Sequence, residues 1–121
     1  MRVLVCGGRD FADRDTVFRA LNALAEKYGR LNVIQGGARG ADRLALDWAL
    51  QAPSVQLSNY PADWQRHGKA AGAIRNQQML DEGKPDLVLA FPGGRGTADM
   101  VRRAKAAGIP VRHPSPTGEK P

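Results

Sequence analysis

Three short stretches of this chain set glycine beside arginine in a way that suits an anionic ligand: CGGRD (6–10), GGARGAD (36–42) and FPGGRGT (91–97). Each follows an apolar run and precedes a helix-forming one, which places each glycine group at a strand-to-helix corner. Glycine lets a ligand approach the main chain where a Cβ would collide. The first N–H groups of the helix that follows lack intrahelical partners and carry roughly half a positive charge, so they attract phosphate. The candidate ligand-binding residues are therefore Gly7, Gly8, Arg9 and Asp10; Gly36, Gly37, Arg39, Gly40 and Asp42; and Pro92, Gly93, Gly94, Arg95, Gly96 and Thr97. Thr97 could cap its helix or donate its hydroxyl to a phosphate. Asp99 could complement the positive helix end, face a ligand hydroxyl or act on a glycosidic bond. Arg75 and Asn76 add a polar pair in a segment otherwise short of charge. The spacing is neither GxGxxG nor GxxxxGK[ST], which argues against an ordinary dinucleotide dehydrogenase or a P-loop NTPase.

Other chemistries lack the residues. His67 and His113 are the only histidines and are far apart in sequence, Cys6 is the only cysteine, and no serine lies in a GxSxG turn. No metal site and no cofactor are expected. Cys6, at the end of an apolar run, reads as a small core residue, and one cysteine leaves a reducing cytoplasm as the expected compartment. Trp48 and Trp64 read first as packing residues, and Trp64 is also a candidate for stacking on a base. No apolar run approaches the roughly 20 residues that span a bilayer, and the apolar start MRVLVC is too short for a signal peptide.

The elements that must position these corners are legible as an alternation. RVLVC (2–6), LNVIQ (31–35) and PDLVLAF (85–91) read as buried strands, SVQLSNYP (54–61) as a weaker one and IPVRH (109–113) as the last. Between them, Val17, Leu21, Leu24 and Tyr28 recur at helical spacing before Gly29, with Asp13 or Asp15 as cap. Ala41, Leu44 and Trp48 do so before Pro53, which should end that helix. A loop up to Lys69 should lead into a helix from about Ala70 to Leu80, and GTADMVRRAKAAG should form the last helix. Continuous rather than alternating apolar strands imply a sheet buried on both faces. The expectation is an α/β fold: a Rossmann-like, doubly wound parallel sheet of about five strands, order 3-2-1-4-5, with helices on both faces. It should form a single domain over residues 1–113, followed by a disordered polar tail over 114–121.

With 121 residues and a net charge of +6, from 18 basic and 12 acidic residues, the chain favours an anionic partner. Arginine outnumbers lysine, 13 to 5, and its planar fork suits phosphate oxygens. No basic run exceeds the pair Arg102-Arg103, and only 6% of residues are aromatic, which weighs against a nucleic-acid groove.

The set CGGRDF (6–11), GGARGAD (36–42), DWQRHGKAAGAIRNQQM (63–79) and AFPGGRGTADM (90–100) resembles the SLOG superfamily, and more narrowly its small, YspA-like stand-alone branch. The resemblance spans about residues 1–112. It implies a Rossmann-like sheet, and kinship with DprA-type DNA-processing proteins and LOG-type phosphoribohydrolases. LOG enzymes cleave the N-glycosidic bond of nucleoside 5′-monophosphates with a PGGxGT motif, paired acidic residues after it and an upstream arginine. PGGRGT is intact here and Arg75 matches that arginine in placement. The acidic pair is replaced by Asp99 and Met100, so the phosphate cradle carries over better than the catalysis. The resemblance also implies a homodimer or larger assembly and no cofactor.

Three functions follow as expectations. The first is binding of a nucleotide-derived small molecule with its phosphate on PGGRGT, assisted by Arg9, Arg39 and Arg75. The second is nucleotide hydrolysis with Asp99 and Arg75 as catalytic residues. The third, by the kinship with DprA-type proteins, is binding of single-stranded DNA.

Overall fold

The computed structural model describes residues 1–52 and 55–116. The chain runs β1 (Arg2–Cys6), α1 (Arg14–Tyr28), β2 (Asn32–Gln35), α2 (Ala41–Gln51), β3 (Gln56–Asn59), α3 (Trp64–His67), a turn of 3-10 helix (Gly68–Ala70), α4 (Ala71–Gly83), β4 (Leu87–Ala90), α5 (Arg95–Ala106) and β5 (Val111–Arg112). All strand pairs are parallel, in the order β3-β2-β1-β4-β5. This is the doubly wound sheet that the sequence implies, with the winding reversed between β1 and β4.

The period-two alternation of the central strands divides the core into two layers. Val3 and Val5 of β1, with Leu87 and Leu89 of β4, pack against Val17, Leu21 and Leu24 of α1 and Ala45 and Trp48 of α2. Leu4 and Cys6, with Val88 and Ala90, pack on the other face against Met79 and Leu80 of α4 and Met100 and Ala104 of α5. Each fully buried valine or leucine contributes about 1.5–3 kcal/mol. The central pair of strands is consequently the best anchored part of the molecule, and the site grows from its ends.

Local signals explain the element ends. Asp13 caps α1, its carboxylate accepting the Thr16 N–H at 3.1 Å and the Thr16 hydroxyl at 2.6 Å. Gly29, at φ +77°, closes that helix through an N–H bond to Ala25. Tyr28 falls outside the buried stripe and is exposed beside Lys27. The segment before Lys69, expected to be loop, contains α3, because Asp63 accepts the Arg66 N–H at 3.0 Å and so caps a single helical turn. The following helix runs three residues beyond the expected Leu80, to Gly83. Pro53, the expected helix stop, and residues 117–121 of the expected tail lie outside the described residues. On the exposed surface, Arg19 donates to the Pro116 carbonyl at 2.8 Å.

Candidate functional site

The C-terminal ends of β1, β2 and β4 open onto a cleft of about 790 Å³, walled on one side by α5 and on the other by α3 and the start of α4. The floor is stitched from main chain. The Gly8 N–H donates to the Pro92 carbonyl at 2.8 Å, and the Gly8 carbonyl accepts from Phe11 and Ala41, both at 3.2 Å. The three glycine corners are neighbours.

Their glycines divide by role. A Cβ on Gly93 would strike the Thr97 hydroxyl and lie 2.6 Å from the Gly8 nitrogen, and one on Gly40, at φ +78°, would strike the Gly8 carbonyl. Those two glycines let loops pack on each other rather than on a ligand. Gly94 and Gly96 differ: nothing of the protein lies within 4 Å of a Cβ built on either, and both line the cleft. Gly94 is the N-cap of α5 and no side chain caps that helix, so Thr97 does not take the capping role that its position suggests. The first turn of α5 thus presents main-chain donors to the cleft beside Arg95.

Arg75 and Asn76, at one end of the cleft, are tied down by several bonds. Arg75 Nη1 donates to the Gly36 carbonyl at 2.7 Å and its Nε to Asn76 Oδ1 at 3.2 Å. Asn76, buried, donates to the Gly96 carbonyl at 3.1 Å and to Asp99 at 3.0 Å. Burial lowers the Arg75 guanidinium below its ordinary value, partly offset by the charge of Asp42. It stays protonated.

The two acidic candidates in the cleft are both committed to the protein. One Asp42 oxygen accepts the N–H groups of Gly36 and Ala38, both at 3.2 Å, and so closes the GGARGAD loop. Burial raises its carboxyl, outweighing those bonds and the Arg75 charge. Asp99 accepts from Arg102 at 2.5 Å, Arg103 at 2.8 Å and Asn76 at 3.0 Å, occupying both oxygens. Burial raises Asp99, but the bonds from Arg103 and Asn76, with the charges of Arg103 and Arg102, hold it below the ordinary value. Met100, where the LOG pattern has its second acid, is fully buried in the core. Cys6 lies at the cleft floor, and burial, followed by the charge of Asp42, pushes its thiol up to about 12. At neutral pH it is not a nucleophile.

The remaining sequence candidates fall outside the main cleft. Gly36, Gly37 and Arg39 line an adjoining groove, while Pro92 and Gly93 line a third hollow on the far side of the β4 loop. Asp10 and Arg39 face each other at 3.7 Å, both exposed. Sequence reasoning did not single out Lys69 or Arg102, which also line the cleft. The signal for Arg102 was present: it stands two helical turns beyond Arg95 and so shares its face. Trp64, half exposed, lies across the cleft from α5 with the Arg9 guanidinium 5.5 Å from its ring centre. Among the described residues no group of histidine, cysteine and carboxylate side chains could hold a metal ion, and no helix is long and apolar enough to cross a membrane.

Comparison with known proteins places this architecture. A family model described as YAcAr, the YspA, cpYpsA-related SLOG family, matches residues 1–67. The Gene 61 protein of Mycobacterium phage D29 is 44% identical over 130 residues, covering 99% of this chain and 98% of that relative. The chain belongs to the YspA, cpYpsA-related SLOG family. Among solved structures it is similar to DNA processing protein A from Helicobacter pylori, described for its single-stranded DNA binding mode. The TM-score is 0.71 at 17% identity, over 99% of this chain and 68% of that one. That likeness is one of fold.

Proposed function

We propose that this protein binds a nucleotide or phosphoribosyl-type small molecule in the cleft between α5 and α3. The ligand phosphate rests on the N–H groups of the first turn of α5, and its base lies toward Trp64. The observation that carries the reading is the uncapped start of α5, where Gly94 and Gly96 leave the main chain open. Arg9, Lys69, Arg95 and Arg102 line the same cleft and supply the charge that an isolated helix end lacks.

Binding rather than hydrolysis is the favoured activity. A carboxylate that guides water or stabilises an oxocarbenium-like centre needs acceptor capacity and charge to spare, and Asp99 already accepts from Asn76, Arg102 and Arg103. The test is calorimetric titration of the four common nucleoside 5′-monophosphates, with chromatography of the same mixtures for free base. Saturable binding without base release is the expected result. Base release at a steady rate would establish the hydrolase instead, and an absence of binding to any phosphate-bearing nucleotide would end the reading.

A second reading, single-stranded DNA, draws on the exposed Trp64 beneath Arg9 and on the fold neighbour described as binding single-stranded DNA. It requires oligonucleotide affinity that falls steeply with salt.

A further inference from the structure

The cleft does not end at Trp64. Around that side chain it joins the adjoining groove of about 420 Å³, which is lined by Arg9, Arg39 and Arg75 with the main chain of Gly36–Ala38. Arg9, Ala38, Trp64 and Arg75 border both spaces, so the two are lobes of one depression with the indole between them. Three arginines therefore line one small groove. Gathering like charges is unfavourable unless an anion joins them. Local compensation is partial: Asp10 meets Arg39 at 3.7 Å, both exposed, and Asp42, which also accepts the Gly36 and Ala38 N–H groups, sets a single carboxylate against both Arg75 and Arg9. Arg9 also leans on the indole.

We infer that the Arg9–Arg39–Arg75 groove is a second anion subsite, and that the ligand is a nucleotide unit carrying phosphate on both sides of its nucleoside. One phosphate occupies the first turn of α5, the nucleoside packs against Trp64, and the other phosphate lies among the three arginines. A mononucleotide would leave this second lobe empty. The inference rests on the phosphate-binding reading of α5 and adds the class of ligand.

Arg39 separates the two ideas, because it lines the second lobe and not the first, and its exposed side chain makes its removal harmless to the fold. The experiment titrates the full chain and its Arg39→Ala variant with nucleoside 5′-monophosphates and with the matching 3′,5′-bisphosphates. Wild-type protein should bind at least one bisphosphate about tenfold or more tightly than its monophosphate, the scale of one charge-assisted contact. Arg39→Ala should remove most of that advantage and leave monophosphate affinity unchanged. Equal affinity for the two ligand series, or an advantage that survives Arg39→Ala, would overturn the second subsite while leaving the α5 site standing. If neither series binds, both fail. A further arm compares a 5′-phosphorylated dinucleotide with a longer single strand. Equal affinity assigns the two-phosphate unit to a small molecule, and affinity that grows with length assigns it to a strand; either retains the paired subsites.

Discussion

The Asn76 amide donates to Asp99 at 3.0 Å and thereby joins α4 to α5 across one end of the cleft. The same amide reaches the Gly96 carbonyl at 3.1 Å, so one buried side chain sets both the acid and the glycine turn beside it. Replacing Asn76 by alanine removes both bonds, leaves the Arg75 Nε without its acceptor at 3.2 Å and should cost about 1–3 kcal/mol, measurable by chemical denaturation. Nucleotide affinity should fall with it, since the start of α5 loses its brace.

Acid should act through Asp99. Its folded-state carboxyl titrates below the ordinary 3.8, so it contributes stability above that pH that is lost as pH falls through the folded value. Asp42 has the opposite sign: its raised carboxyl favours the folded state at low pH, and that contribution is lost as pH rises through the folded value. Asp99→Asn should be less stable than wild type at neutral pH and should lose less on acidification below about pH 4. Thermal melts across that interval give the comparison, and identical slopes would contradict it.

Adjacent glycines should behave oppositely. Gly93→Ala forces a Cβ against the Thr97 hydroxyl and the Gly8 main chain, an overpacking cost of about 1–3 kcal/mol. The Cβ of Gly94→Val has no protein atom within 4 Å, so the variant should keep a melting temperature close to wild type, yet abolish ligand binding. Normal binding by Gly94→Val would remove the phosphate from α5.

Fluorescence should report Trp64 alone. Trp48 is buried, its indole N–H donating to Asn22 at 2.8 Å, whereas Trp64 is half exposed at the cleft. A bound nucleotide should quench emission in wild type and not in Trp64→Phe. Trp64→Ala should weaken binding by about 1–3 kcal/mol, the usual contribution of one base stack.

Cys6 should resist alkylation. With its thiol raised to about 12 and buried, it should remain unmodified by iodoacetamide at pH 8 in the folded protein. After denaturation it should react fully. Fast labelling of native protein would mean that the cleft floor opens.

The strands and their order were legible because β1 and β4 are buried on both faces and therefore read as unbroken apolar runs. The short α3 was not, since four residues carry too little periodicity to register and only the Asp63 cap marks them. The glycine corners were found, but their division of labour was hidden. What distinguishes Gly93 from Gly94 is the approach of Gly8, a residue 85 positions away from the first of them in the chain. Asp42 was likewise visible as a polar residue after a glycine turn, and its role as the clasp of that turn depends on the curl of residues 36–38. Local sequence encodes which corners exist; the contacts between corners decide which atoms remain for a ligand.

The lacing of Gly8 to Pro92 and Ala41 also limits how this family can change its taste. A substitution in any one of those loops disturbs all three, so that region tolerates little variation without loss of the molecule. The opposite wall, carrying Trp64 on α3 and Lys69 on the 3-10 turn after it, both with exposed side chains, is bound by no such constraint. Divergence in ligand choice among relatives should therefore accumulate there, around the proposed phosphate seat.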